Sequence, residues 1–168
     1  LLKVCMHRIR CNMAYRKIMY SVEISLNGKT KKIKGFLDTG NSLKDPITSN
    51  PILLVNFEVV KNILPKDVVT VCQNNLYSLT SLSKESERRV RLLPYISVGN
   101  QNGLMLGYKM DKIKIYLTNE ENIVLDNALI GINTTKLNNQ NDFDALLSIE
   151  LLELQRGRKL WEECNLKS

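Results

Sequence analysis

One stretch of this 168-residue chain carries an obvious reactive pattern. Phe36-Leu37-Asp38-Thr39-Gly40-Asn41 runs two apolar residues into a carboxylate, a small hydroxyl residue and a glycine. That order suits a strand ending in a tight turn that presents Asp38. A single solvated carboxylate titrates near pH 4 and is a poor base at neutral pH. Two carboxylates held close together cannot both ionise easily and come to share one proton. One then acts as a general base on water while the other, protonated, donates to a carbonyl. Such a pair titrates as a unit. The chain has one Asp-Thr/Ser-Gly, so an identical partner has to come from a second copy. Thr39 suits a hydrogen bond across such a pair, and Gly40 permits close backbone approach.

The surrounding pattern supplies elements to hold this turn. Residues 14–26 alternate apolar and polar through Ile18, Tyr20, Val22, Ile24 and Leu26, then reach Asn27-Gly28, a strong hairpin signal. Residues 30–37 read as the return strand. Residues 41–50 are rich in turn formers, with Asp45 before Pro46 suited to a turn. Residues 51–55 read as a short buried strand, 56–64 as a short helix ended by Pro65, and Val68 to Cys72 as a short β-branched run. The polar segment 73–91 reads as an exposed, mobile connection. Residues 92–98 and 104–110 flank Gly99-Asn100-Gln101-Asn102-Gly103, a second hairpin. Residues 112–118 and 123–125 read as strands. Ala128-Leu129-Ile130-Gly131-Ile132 is an apolar run whose glycine marks a bend or close approach. Apolar side chains at 143, 146, 147, 151 and 154 predict an amphipathic helix over 142–154 with Asp142 as its N-cap. The fold class is therefore mainly β with one C-terminal α-helix.

Composition bounds the rest. A chain of this length forms one domain, or one with a tail. Cys5, Cys11, Cys72 and Cys164 are scattered, which favours reduced thiols. Cys5, His7 and Cys11 lack a fourth metal ligand nearby, so neither metal nor cofactor is expected. No stretch approaches the roughly 20 apolar residues that span a bilayer. The net charge of +7 fits a solvated basic surface, an acidic partner or an anionic membrane surface. Charge-driven nucleic-acid binding would weaken steeply with salt, but no stacking platform is present and no direct nucleic-acid contact is expected. Lys3, Arg8, Arg10, Arg16 and Lys17 precede the first acidic residue, Glu23. This reads equally as a basic strand or as a segment just inside a membrane.

Leu37-Asp38-Thr39-Gly40 resembles the active-site loop of retropepsin-like aspartic proteases. Ala128-Leu129-Ile130-Gly131 resembles their hydrophobic-hydrophobic-glycine element behind that loop, with Leu129, Ile130 and Gly131 as loop support. The hairpin around Val98, Gly99, Asn100, Gln101, Asn102 and Gly103 occupies the place of their flap, a mobile cover over bound peptide. The resemblance implies a single lobe, a closed barrel-like sheet with a flap hairpin and a C-terminal helix. Residues 37–48, Leu93-Pro94-Tyr95-Ile96-Ser97-Val98-Gly99 and Ala-Leu-Ile-Gly-Ile resemble more closely the sporulation sigma-E factor processing peptidase family. That resemblance implies an endopeptidase acting on a pro-sigma factor, active as a homodimer with one Asp38 per subunit. It implies a membrane-anchored protein whose soluble domain faces the mother-cell cytoplasm and answers a forespore signalling protein. The expected organisation is a basic juxtamembrane segment over 1–13, a protease domain over 14–154 and a charged tail over 155–168. Two features depart from the general retropepsin pattern: Asn41 stands where Ala or Ser is usual, and 73–91 lengthens the path to the flap. A non-catalytic dimerisation or signalling module on the same fold is the other reading.

Overall fold

A computed structural model describes residues 19–74, 78–97, 100–118, 121–135, 137 and 142–154. The cysteine-histidine cluster at 5–11, the start of the first strand, Val98, Gly99 and the tail from 155 lie outside the described residues. Among the described residues nine strands form one sheet in the order β4-β5-β8-β3-β9-β2-β1-β6-β7. The sheet curls into a half-barrel, as in a single retropepsin-like lobe.

β1 (Met19–Leu26) and β2 (Lys29–Leu37) make the expected antiparallel hairpin. Asn27 and Gly28 both have positive φ, 49° and 76°, the backbone a two-residue hairpin turn demands and one that Asn and Gly tolerate. Tyr20, Val22, Ile24 and Leu26 point into the core while Ser21, Glu23 and Ser25 face outward. β6 (Lys112–Tyr116) pairs with β1, and β7 (Asn122–Asp126) with β6. β4 (Val90–Ser97) and β5 (Asn100–Lys109) form the second hairpin, and β5 pairs with β8 (Leu129–Asn133).

The sheet centre holds an insertion. β2 and β3 (Leu53–Asn56) are joined by the Asp38 connection yet do not pair. β9 (Ala145–Leu147) lies between them, parallel to β2 and antiparallel to β3. The helix expected over 142–154 is corrected accordingly: 145–147 is strand, and helix occupies 149–154. The unpaired edges of β2 and β3 offer hydrogen bonds on both sides, which outweigh the helical preference of Ala and Leu. The cap moves from Asp142 to Ser148, a buried side chain whose Oγ accepts from Leu151 N at 3.1 Å.

Two further segments gain definition. Val68 to Cys72, a β-branched run in the sequence, is helical. It lies in α2 (Lys66–Gln73), the second helix after α1 (Phe57–Val60). Val68, Val71 and Cys72 are buried, a helical spacing whose burial outweighs the few tenths of a kcal/mol each β-branched residue costs in a helix. Segment 73–91 is not a bare connection. It contains a 3-10 turn (Leu79–Ser81) and α3 (Lys84–Arg89). Asp67 anchors it, accepting from Ser83 N at 2.9 Å and Ser86 Oγ at 3.1 Å. These bonds hold the Asp67 carboxyl below its ordinary range, against burial that pushes the other way.

Candidate active site

β2 ends with buried Leu37, and its bonding to β9 continues one residue further: Asp38 N donates to Leu147 O at 2.9 Å. The chain then leaves the sheet in two successive side-chain-capped turns. Gly40 N donates to Asp38 Oδ1 at 2.9 Å and Asn41 N to Asp38 O at 3.2 Å. Leu43 N donates to Asn41 Oδ1 at 3.1 Å. Asp and Asn suit such turns because their short side chains bond the backbone two residues on. Asp38 Oδ2 has no donor among the described residues. Asp38 and Asn41 are partly exposed, Thr39 and Gly40 exposed. A Cβ at Gly40 would lie 3.4 Å from Asp38 Oδ1, an ordinary contact. Nothing among the described residues of one copy therefore demands glycine there.

Gly131 sits in β8 with Leu54 of β3 on one side and Gly107 of β5 on the other. A Cβ on it would approach Met105 Sδ at 3.1 Å, Leu43 Cδ2 at 3.2 Å and Leu54 Cδ1 at 3.2 Å. The loop after Asp38 thus rests its Leu43 over this glycine. Ile130 points the other way into the core, and Leu129 is partly exposed. The strand that bonds directly to Asp38 is β9, which sequence reasoning missed. Its signals were Ser148 ahead of an apolar helical turn and the short run Ala145-Leu146-Leu147.

The second hairpin differs from the expected one. Its strands reach Ser97 and Asn100, so Asn100, Gln101, Asn102 and Gly103 lie in β5. Tyr95 is directly opposite Gly103. A Cβ at Gly103 would come within 2.5 Å of Tyr95 Cε1, so the ring lies on this glycine and Gly103 is a packing position. On the opposite face Pro94 pairs with Leu104, with Leu92 alongside. Leu92 is 42% and Leu104 57% exposed, an apolar strip facing outward.

Asp45 is buried and closes its own turn, accepting from Ile47 N at 3.0 Å and Thr48 Oγ1 at 2.8 Å. Lys44 pairs with Glu150 at 2.7 Å, tying the loop to the helix at 149–154. A cavity of about 430 Å³ lies beside this loop, between Ile47, Thr48 and Pro51 and the segment Ala128-Leu129, with Leu154. Asp38 does not line it. The arginines near α3 are partly committed: Arg89 bonds Asp111 at 2.7 Å, which raises its already high pKa, and Arg91 donates to Val90 O at 2.8 Å.

The profile of the family described as sporulation factor SpoIIGA, a peptidase family, matches residues 1–151. The chain is 35% identical over 137 residues to the sporulation sigma-E factor-processing peptidase of Bacillus subtilis, covering 79% of this chain and 44% of that protein. It is 31% identical over 136 residues to the protein of the same name from Priestia megaterium, covering 80% and 44%. The chain thus spans less than half the length of these curated relatives. No solved structure matches it. The chain belongs to the sporulation factor SpoIIGA family.

Proposed function

We propose that this member of the SpoIIGA family is an aspartic endopeptidase that removes the pro-sequence of a sporulation sigma factor, active as a homodimer with one Asp38 from each copy. The observation that carries the reading is the turn itself: one Asp-Thr-Gly, anchored by Leu147 O, with Asp38 Oδ2 free of any donor among the described residues. The relatives' names support a sigma-factor precursor as substrate, and the charge of +7 suits an acidic pro-segment.

In this mechanism the two Asp38 carboxyls share one proton. The ionised one takes a proton from water as its oxygen bonds the scissile carbonyl carbon. The protonated one donates to the carbonyl oxygen, giving a gem-diol. The proton taken from water then passes to the amide nitrogen, the C–N bond breaks, and a hydroxyl proton returns to the dyad. Positioned proton transfer of this kind contributes roughly 10²–10⁴-fold. Thr39 braces the paired loops. The β4/β5 hairpin closes over an extended substrate with its apolar strip Leu92, Pro94 and Leu104. The full protein is held at the membrane, with this domain in the mother-cell cytoplasm under control of a forespore signal.

The test is co-expression of the sigma-E precursor with wild type and with Asp38→Asn, scored as the shortened product on a gel. Asp38→Asn should fold and dimerise like wild type and yield none. Wild-type levels of product from a folded Asp38→Asn dimer would sink the proposal. A forced wild-type dimer that binds precursor without cutting it would favour a non-catalytic module.

A further inference from the structure

Asn41 Nδ2 is a buried side-chain donor with no hydrogen-bond partner. Leaving a buried donor unsatisfied costs about 1–3 kcal/mol, so its retention calls for a function. The amide's orientation is fixed by chemistry. Leu43 N can only donate, so the atom facing it at 3.1 Å is Oδ1, and Nδ2 points to the other side. Several acceptors in this loop are taken. Asp38 O receives Asn41 N, Asp38 Oδ1 receives Gly40 N, and Leu43 O receives Ile52 N. Asp38 Oδ2 is the carboxylate acceptor in the same turn without a donor among the described residues; the carbonyls of Thr39 and Gly40 also lack one. The orphan donor and this carboxylate acceptor lie three residues apart in a turn closed by the Asn41 N–Asp38 O bond.

We propose that Asn41 is a positioning residue whose Nδ2 donates to Asp38 Oδ2 when the active site assembles. This rests on the reading of Asp38 given above. The single copy does not make the bond. Association of two Asp38 loops, by pressing the exposed Thr39-Gly40 corner, closes the gap. The bond then fixes the carboxylate's rotation so that the oxygen facing the substrate water keeps one orientation. Asn41 thereby couples assembly to competence: the donor is unsatisfied in the separate copy and satisfied in the working pair.

Four variants test it in the purified protein with precursor as substrate. Asn41→Asp keeps the acceptor for Leu43 N but loses the donor. Asn41→Ala loses both. Asn41→Ser keeps a hydroxyl that can accept and donate. Asn41→Asp and Asn41→Ala should lower kcat by about 10²–10³-fold, the loss typical of one aligned donor at a reacting group, with KM within about twofold. Asn41→Ser should stay within about tenfold of wild type. Unchanged kcat in Asn41→Asp, or equal losses in Ser and Ala variants, overturns the proposal. A crystal structure with a hydroxyethylene peptide should place Nδ2 within about 3.2 Å of Asp38 Oδ2; Nδ2 on a backbone carbonyl instead also overturns it. Asp38→Asn separates the two ideas. If it is active, the reading of Asp38 fails. If it is dead while Asn41→Asp works normally, only the role of Asn41 fails.

Discussion

Gly35 is where the sheet beneath Asp38 is most tightly closed, and Gly35→Ala should disturb it measurably. Gly35 lies in β2 opposite Ala145 of β9 and Tyr20 of β1. An added methyl would overlap Leu147 Cδ1 and come to 3.0 Å from Val22 Cγ2, against an optimum of about 3.5–4.0 Å between carbons. Leu147 and Val22 are both fully buried, and Val22 has little rotamer freedom. Overpacking of this kind costs about 1–3 kcal/mol. Loss of unfolded-state freedom from glycine returns about 0.4–1 kcal/mol. The net destabilisation should be about 1.5 kcal/mol, a fall in Tm of roughly 3–6 °C for a chain of this size. Leu147→Ala alone should cost about 2–5 kcal/mol. It also removes the atom the new methyl strikes, so the double variant should be little worse than Leu147→Ala, a coupling of about 1–2 kcal/mol. Urea unfolding of the four proteins measures it, and amide exchange at Asp38 should quicken in Gly35→Ala because Leu147 O is its acceptor. Additive destabilisation, or a Gly35→Ala protein as stable as wild type, would refute the reasoning.

Ser148→Ala should cost about 1 kcal/mol through loss of its cap on Leu151 N, with faster exchange confined to 149–154 as the check. Cys72 is a buried free thiol whose pKa burial pushes up to about 11. It should resist alkylation in the native protein at pH 8 and react fully in denaturant. The sign of its pH effect follows from proton counting. Between pH 9 and 11 the unfolded thiol loses its proton and the folded one keeps it, so stability falls as pH rises through that window. Cys72→Ala should flatten the fall seen in urea titrations.

The β1/β2 hairpin could be read directly from the sequence, because alternation and Asn27-Gly28 agree with each other and with the buried face. Asp38 at the end of β2 followed from the same logic. What failed were segments whose local pattern is outvoted by distant partners. Ala145-Leu146-Leu147 has helical composition and helical spacing, but two unpaired strand edges claim it. Val68 to Cys72 carried no assignment beyond its β-branching, while the spacing of Val68, Val71 and Cys72 fits the helix it forms. Gly103 was read as part of a turn because nothing local announces the Tyr95 ring across the hairpin. At the site, Asn41 was visible as a departure, but its buried, unpartnered Nδ2 required coordinates.

The place of β9 has a bearing on biosynthesis. The backbone acceptor for Asp38 N is Leu147 O, which the ribosome adds roughly a hundred residues later, about 5–20 s at common elongation rates. During that interval β2 and β3 have a vacant slot between them and the acidic turn has no anchor. A growing chain therefore cannot present a finished Asp38 loop to its neighbours on the same message. A cut or premature stop before Ala145 leaves a protein with every residue of the Asp-Thr-Gly motif and no strand to hold it. Synthesis past Leu147 is thus a precondition for an anchored Asp38 turn.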